Sequence, residues 1–297
     1  MRLERLRSLA VIALVLASAP AARAQPSAIN PALFVVRDAD STLYLYGTVH
    51  ALPADAPWAS ESARAAILDS EEVWTESDIS EAAAARLSAD FELAVETPAL
   101  QSLPSRLPPE FGARLRFVAK RLGLGPSGLD RFEPWEAAFL LMSGDAHGRT
   151  SQNGVDNQIV TLAQEHGKTL RWLETMGVRD FEAMPEAAQI QFLSYVLGGF
   201  MRPPGDADRA DAMWASGDLE GLDALELAPM RAAYPDFYAW IVVTRNAAWA
   251  ERLSAELDGS GTDFVAVGAA HLVGPNSLVA ILRARGHAVE RVATSAR

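Results

Sequence analysis

Two segments near opposite ends of the chain share one pattern, and that pattern limits the folds open to it. Leu43, Tyr44, Leu45 and Tyr46 lead into Gly47-Thr48-Val49-His50, and Phe264, Val265, Ala266 and Val267 lead into Gly268-Ala269-Ala270-His271. Each is an apolar, β-prone run with Gly at its end and a His three positions later. Gly lets the backbone turn or approach a neighbour closely, so the His is presented where the strand stops. In open α/β sheets that carboxyl edge is where ligands bind.

The segments between follow a simple order. Residues 33–38 and 42–47 read as a strand pair around the polar residues 38–41, followed by a helix over 60–68 and a strand over 71–76. A helix over 155–165 closes at Gly167, which suits the position after a helix end; a strand over 169–173 follows. Near the end come a strand over 263–267, a helix over 275–285 and a strand over 288–292. Between these lie helical stretches over 80–141, 185–200, 206–216 and 230–257, punctuated by Pro and Gly. The expected architecture is therefore α/β (α+β): a sheet core split in sequence, about 33–78, 150–176 and 258–293, with a helical cap inserted as 79–149 and 177–257. Residues 25–297 are expected to form a single domain.

Residues 1–24 stand apart. Arg2, Arg5 and Arg7 precede an apolar run over 9–16, and Ala22-Arg23-Ala24 supplies small residues around a cleavage point. This is the pattern of a secretory signal peptide, and the run is too short to span a bilayer. The remaining chain is expected in the periplasm or outside the cell, with no membrane span. Its charge is acidic: −12 for the whole sequence, and more negative once four arginines and one glutamate leave with residues 1–24. Such a chain repels phosphate backbones, so nucleic acid is not an expected partner. With no Cys, thiolate nucleophiles, disulfides, Fe–S clusters and Cys-type zinc sites are excluded.

Two further strands end in acids, Glu76 after Val73-Trp74-Thr75 and Glu174 after Arg171-Trp172-Leu173. A single sheet would bring His50, Glu76, Glu174 and His271 to one edge. Two imidazoles and two carboxylates suit a first-row divalent cation that acidifies a bound water. They equally suit a hydrogen-bonded polar cluster, and spacing alone does not choose between them. A His-Glu-x-x-His helix motif and a Gly-x-Ser-x-Gly nucleophile turn are both absent. Asp156, opening a helix after Gly154, either stabilises the helix dipole or orients a site His. His147 reads as a solvated loop residue, His166 as a helix-end residue and His287 as exposed beside the last strand.

The motifs Gly47-Thr48-Val49-His50, Glu76 after Val73-Trp74, Gly154-Val155-Asp156, Leu173-Glu174-Thr175, Thr244-Arg245-Asn246 with Trp249, and Val267 to Gly274 occur in an order that resembles the TraB/GumN family. That family is grouped with the Tiki metalloproteases and, more distantly, with erythromycin esterase and the haem-binding ChaN proteins. The resemblance covers about residues 33–293. It implies an EreA/ChaN-like core and, for the Tiki branch, metal-dependent hydrolysis. Carried onto this chain, it implies a divalent ion (Mn²⁺, Co²⁺ or Zn²⁺) on His50, Glu76 and His271, with Glu174 as general base and Arg245 stabilising negative charge. Asp156 and Asn246 would support the ligands from behind. The substrate would be a peptide or another small molecule cleaved at an amide bond.

Two other functions fit the same residues. The cleft could hold haem or another small ligand without turnover, with Tyr44, Tyr46, Tyr195, Tyr234 or Tyr238 as a donor, or His50 could activate water for ester or lactone hydrolysis without a metal. The signal peptide yields an expected outcome of its own. N-terminal sequencing of protein from the exported fraction begins at Gln25, and recovery of intact Met1 there would contradict the assignment.

Overall fold

Alternation sets the core. In β2 (Ser41–Thr48) Leu43 and Leu45 point to one side of the sheet and Tyr46 to the other, while in β7 (Gly261–Gly268) Val265 and Val267 oppose Phe264 and Ala266. Both faces of these strands are apolar because both are covered by helices. The computed structural model describes residues 29–125, 127–142, 149–203 and 205–293. The expected signal peptide, residues 1–24, and His147 lie outside them.

The other strands are β1 (Leu33–Arg37), β3 (Leu52–Pro53), β4 (Glu72–Thr75), β5 (Arg149–Thr150), β6 (Thr169–Trp172) and β8 (Ala288–Arg291). Six of them form one mixed sheet in the order β6-β4-β7-β2-β1-β8, and β3 pairs with β5 separately. β1 and β2 form the expected hairpin, its turn held by Asp38 Oδ1, which accepts the N–H groups of Asp40 at 3.2 Å and Ser41 at 2.8 Å. The two Gly-x-x-His strands are direct parallel neighbours, with Gly47 opposite Val267 and Thr48 opposite Gly268. β4 runs parallel to both β7 and β6. Hydrogen bonding continues past those strands: Leu173 N–H donates to Thr75 O and Glu174 N–H to Glu76 O, both at 2.9 Å. The backbone itself therefore sets Glu76 and Glu174 side by side at the carboxyl edge.

Helices α1 (Glu61–Asp69) and α6 (Val155–Glu165) cover the Tyr46–Phe264 face, through Ala63, Ile67, Val155 and Ile159. The remaining helices are α2 (Glu81–Ala94), α3 (Leu103–Arg106), α4 (Pro109–Arg121), α5 (Pro134–Met142), α7 (Val178–Glu182), α8 (Glu186–Gly199), α9 (Asp206–Ser216), α10 (Leu219–Leu222), α11 (Ala228–Ala233), α12 (Pro235–Tyr238), α13 (Arg245–Leu257) and α14 (Leu278–Ala284). Of these, α3, α4, α5, α7 and α8, with α11 and α12, build a second apolar core around Trp135, Leu193 and Leu197. Phe139 lies edge-on to Phe181, centroids 4.6 Å apart, and Phe192 stacks on Phe237 at 4.7 Å. Val273, from the loop after β7, belongs to this core, so the helical layer rests on the carboxyl edge of the sheet.

Two expectations change. The second helical insertion, residues 177–257, is not all cap: Trp214 of α9 packs on the Tyr46–Phe264 face, and Trp249, Ala250 and Leu253 of α13 pack on the opposite face with α14. The stretch 230–257 is likewise not one helix. Pro235 keeps Tyr234 out of helical conformation (φ −135°, ψ 58°), and Ala239–Thr244 is wound as a π-helix leading into Arg245. No helix among the described residues is long and apolar enough to cross a membrane.

Asp263, in the first half of β7, is 8% exposed. Burial, reinforced by the charges of Glu256, Glu72 and Glu71, lifts its carboxyl from 3.8 to about 6. An unfolded Asp releases its proton near 3.9, so the folded state binds the extra proton between about pH 4 and 6 and loses stability as pH rises through that window. Asp263→Asn should therefore stabilise the protein at pH 7 by about 1–2 kcal/mol. The gain should disappear below about pH 4, as urea unfolding at the two pH values would measure.

Candidate functional site

His50, Glu76, Asp156, Glu174, Arg245, Asn246 and His271 meet at the carboxyl edge from several elements of the fold. Val49 O accepts the N–H of Val155 at 3.0 Å, which fixes the start of α6 beside the first Gly-x-x-His loop. Gly154 permits that approach, since a Cβ there would stand 2.2 Å from His50 O. Asp156, in the first turn of α6, then accepts Thr48 Oγ1–H at 2.8 Å and His50 Nδ1–H at 2.9 Å. Both roles considered for Asp156 are thus served by one carboxylate.

His271 is anchored from behind in the same way. Asn246 Nδ2 donates to the carbonyls of His271 and Asn276, at 3.3 and 2.8 Å, so its Oδ1 faces His271 Nδ1 at 2.7 Å and accepts that nitrogen's proton. Nε2 is left as the acceptor nitrogen, 3.3 Å from Arg245 Nη1 and 3.7 Å from Glu76 Oε1.

Arg245 sits among the acids. Its Nη2 donates to Glu76 Oε2 at 2.7 Å and to Glu174 Oε1 at 2.6 Å, and its Nε to the same Glu174 oxygen at 2.9 Å. Trp249 Nε1 donates to the other Glu174 oxygen at 3.1 Å, while the Trp249 ring supports the guanidinium 4.5 Å away and the His271 ring at 4.6 Å. Glu76 Oε1 accepts the Gly268 N–H at 2.7 Å. Glu174, expected as a general base, has both oxygens engaged by Arg245 and Trp249, which makes it the anchor of the guanidinium in this geometry.

The electrostatics divide the two imidazoles. His50 is 72% exposed at its side chain, and the hydrogen bond to Asp156 holds its pKa up at about 9. His271 is 6% exposed, and burial drives it down to about 4, leaving it neutral at pH 7. Burial alone would raise Glu76, but the neighbouring His271, Arg245 and His50 and the Gly268 N–H outweigh it and hold the carboxyl at about 2.

The centre of the constellation is Gly268. A Cβ there would meet Glu76 Oε1 at 3.2 Å, and His50 Nε2 and His271 Cδ2 at 3.7 Å each. Among the described residues, however, no three His, Asp or Glu side chains stand together at metal-ligand spacing. The Gly268 N–H and the Asn276 carbonyl are site groups that sequence reasoning missed, because backbone groups leave no residue-type signal. Away from the site, His166 follows the last residue of α6 as expected. His287 is half-buried rather than exposed, its Nε2 lying 3.1 Å from Ser254 Oγ. Tyr46 donates its hydroxyl to Trp58 O, and Tyr195 packs edge-on against Tyr234 in the helical layer.

No curated protein sequence matches the chain. The sequence model of the TraB/PrgY/gumN family matches residues 32–291. That span contains the whole constellation, from Thr48 to Asn276, and nearly all of the described fold; the chain belongs to the TraB/PrgY/gumN family.

Proposed function

We propose that the chain is an exported hydrolase of peptide or other amide bonds, working with a divalent ion on His50, Glu76 and His271. The observation that carries this reading is the paired tethering of the imidazoles. Each gives its Nδ1 proton to an acceptor on another element, Asp156 or Asn246, and turns its Nε2 side toward Glu76 and the bare Gly268. Orientation of ligand histidines by an outer carboxylate or carbonyl is the usual support of a metal site. Two imidazoles and a carboxylate suit Mn²⁺, Co²⁺ or Zn²⁺, so the donor set fits the ion. An ion on His271 Nε2 would replace the Arg245 contact at that nitrogen.

Bound there, a divalent ion would acidify a water and polarise a carbonyl. The chain's own groups do the rest. Asp156 and Asn246 fix ring orientation and tautomer, and Gly268 leaves room for a substrate carbonyl because it carries no side chain. Arg245, held by Glu174 and Trp249, keeps a permanent positive charge where negative charge develops. On this assignment Glu174 positions Arg245 and does not itself take a proton.

A second reading rests on the position of Arg245 and on the absence of a ligand trio in the described geometry. His50 with Asp156 would then act alone on water, cleaving an ester or lactone. His50, held up at about 9 by Asp156, must lose its proton to serve as a base, so the rate would climb as pH rises toward 9 and would survive chelators. A haem-binding role has less support: the cavity beside His50 measures about 240 Å³ and none of the five tyrosines lines it, whereas drug-sized ligands take about 300–1,000 Å³.

Metal content decides between the first two. Protein purified without a His-tag should carry close to one divalent ion by mass spectrometry, and the His50→Ala, His271→Ala double variant should carry almost none; equal content would end the metal assignment. Three isosteric changes separate the roles. Glu76→Gln should lower metal content and activity together. Asp156→Asn should cost about 10–100-fold in metal affinity or activity, the usual effect of losing an outer partner. Glu174→Gln should keep the metal and slow turnover without removing the acidic limb of the pH–rate profile; loss of that limb would restore Glu174 as the base.

A further inference from the structure

Beside His50 lies a cavity that the proposed chemistry does not use. It measures about 240 Å³ and opens between the two Gly-x-x-His loops, α9 and the π-helical turn Asp223–Leu227. Thr48, His50 and Gly268 are among the residues that line it, so it adjoins the reacting centre. Val49, Ala210, Leu222, Leu227, Ala270 and Val273 make up most of the remaining wall.

We infer that this cavity selects the substrate, accepting one uncharged apolar side chain of roughly leucine to phenylalanine size from a residue flanking the bond cleaved beside His50 and Gly268. The inference rests on the hydrolase reading. Size is the first argument: the space is below that of a pocket for a whole drug-sized ligand and suits a single side chain. Chemistry is the second. A charged group entering an apolar wall loses its hydration and finds no unpaired countercharge on the lining acids. Glu226 is clasped by Arg202 through two contacts of 2.6 Å, and Asp211 has a partner of its own. The same two carboxylates disfavour an acidic side chain. The third argument is the composition of the wall. Ala210 and Ala270, from α9 and the second Gly-x-x-His loop, keep open a space that larger residues would close, although an empty apolar cavity lowers stability.

The test has one readout that needs turnover and one that does not. Blocked peptide amides differing only in one residue beside the scissile bond, on either side in two series, should be cleaved with kcat/KM at least about tenfold higher for Leu or Phe than for Gly, Glu or Lys. Ala210→Phe should abolish that preference, bringing kcat/KM for the Leu and Phe substrates down to the level of the Gly substrate. Independently, N-acetyl-leucinamide should produce saturable methyl NMR shifts at Ala210, Leu222, Leu227 and Ala270, which N-acetyl-glycinamide should not. Should Ala210→Phe fail to fold, Leu227→Ala replaces it, and preference should move toward a larger side chain such as naphthylalanine. If the unaltered protein cleaves nothing, the hydrolase reading falls, and the methyl shifts alone judge the cavity. Absent shifts, equal rates across the series, or a preference for Lys or Glu would overturn the inference.

Discussion

Arg245 holds two carboxylates that could not otherwise share one edge of the sheet. Glu76 and Glu174 are 12% and 18% exposed, and their backbones are locked side by side by the Glu174 N–H to Glu76 O bond. Without a cation, like charges at that separation from water would drive one of them to take up a proton. A guanidinium is suited to the task because it stays charged when buried and donates in a plane to more than one oxygen. Removing it would leave uncompensated buried charge, a more serious loss than the pair's net contribution. Its delivery depends on the cap, since the π-helical turn Ala239–Thr244 sets the residue at which α13 begins. Helical layer and sheet are thereby joined at the residue that neutralises the site.

The two Gly-x-x-His elements look alike in sequence and become chemically unlike in the fold. Their strands are adjacent and parallel, but the register places Gly47 opposite Val267 and Gly268 opposite Thr48, a stagger of one residue. The first His leans outward onto a carboxylate, and the second is enclosed against Trp249 and faces an amide oxygen. With no ion bound, the Asp156 contact favours the second proton on His50 at neutral pH, and burial disfavours it on His271.

Much of this was legible in the residues. The apolar runs over 42–47 and 263–267 have the composition of covered strands, His50 and His271 lie three residues past the Gly that ends each, and Glu76 and Glu174 follow shorter β-prone runs, so the edge could be assembled from local signals. The sheet order could not, because pairing β4 with β7 and β7 with β2 depends on long-range packing that no short pattern encodes. The same limit hid the task of Asp156: a first-turn acid suits a helix dipole in any protein, and only the approach of α6 to Val49 reveals the histidine it holds. Glu174 illustrates the converse limit. Its residue type and position suit a base, but the neighbours that occupy its oxygens, Arg245 and Trp249, come from a helix 71 and 75 positions away.

The parallel pairing of β2 with β7 also makes the centre of the sheet a long-range contact in sequence. The central ladder joins Ser41 to Gly261 and Thr48 to Gly268, so the chain between them must be closed as one long loop before the middle of the sheet exists. Such contacts are slow to form, and they expose unpaired strand edges while they wait. On the ribosome β2 is made early, and its central partner appears only when the last part of the chain emerges. Helices around Trp135 and Leu193 can pack earlier from contacts nearer in sequence. A chain truncated before β7 therefore loses His271, the Gly268 N–H and the strand between the two sheet halves at once.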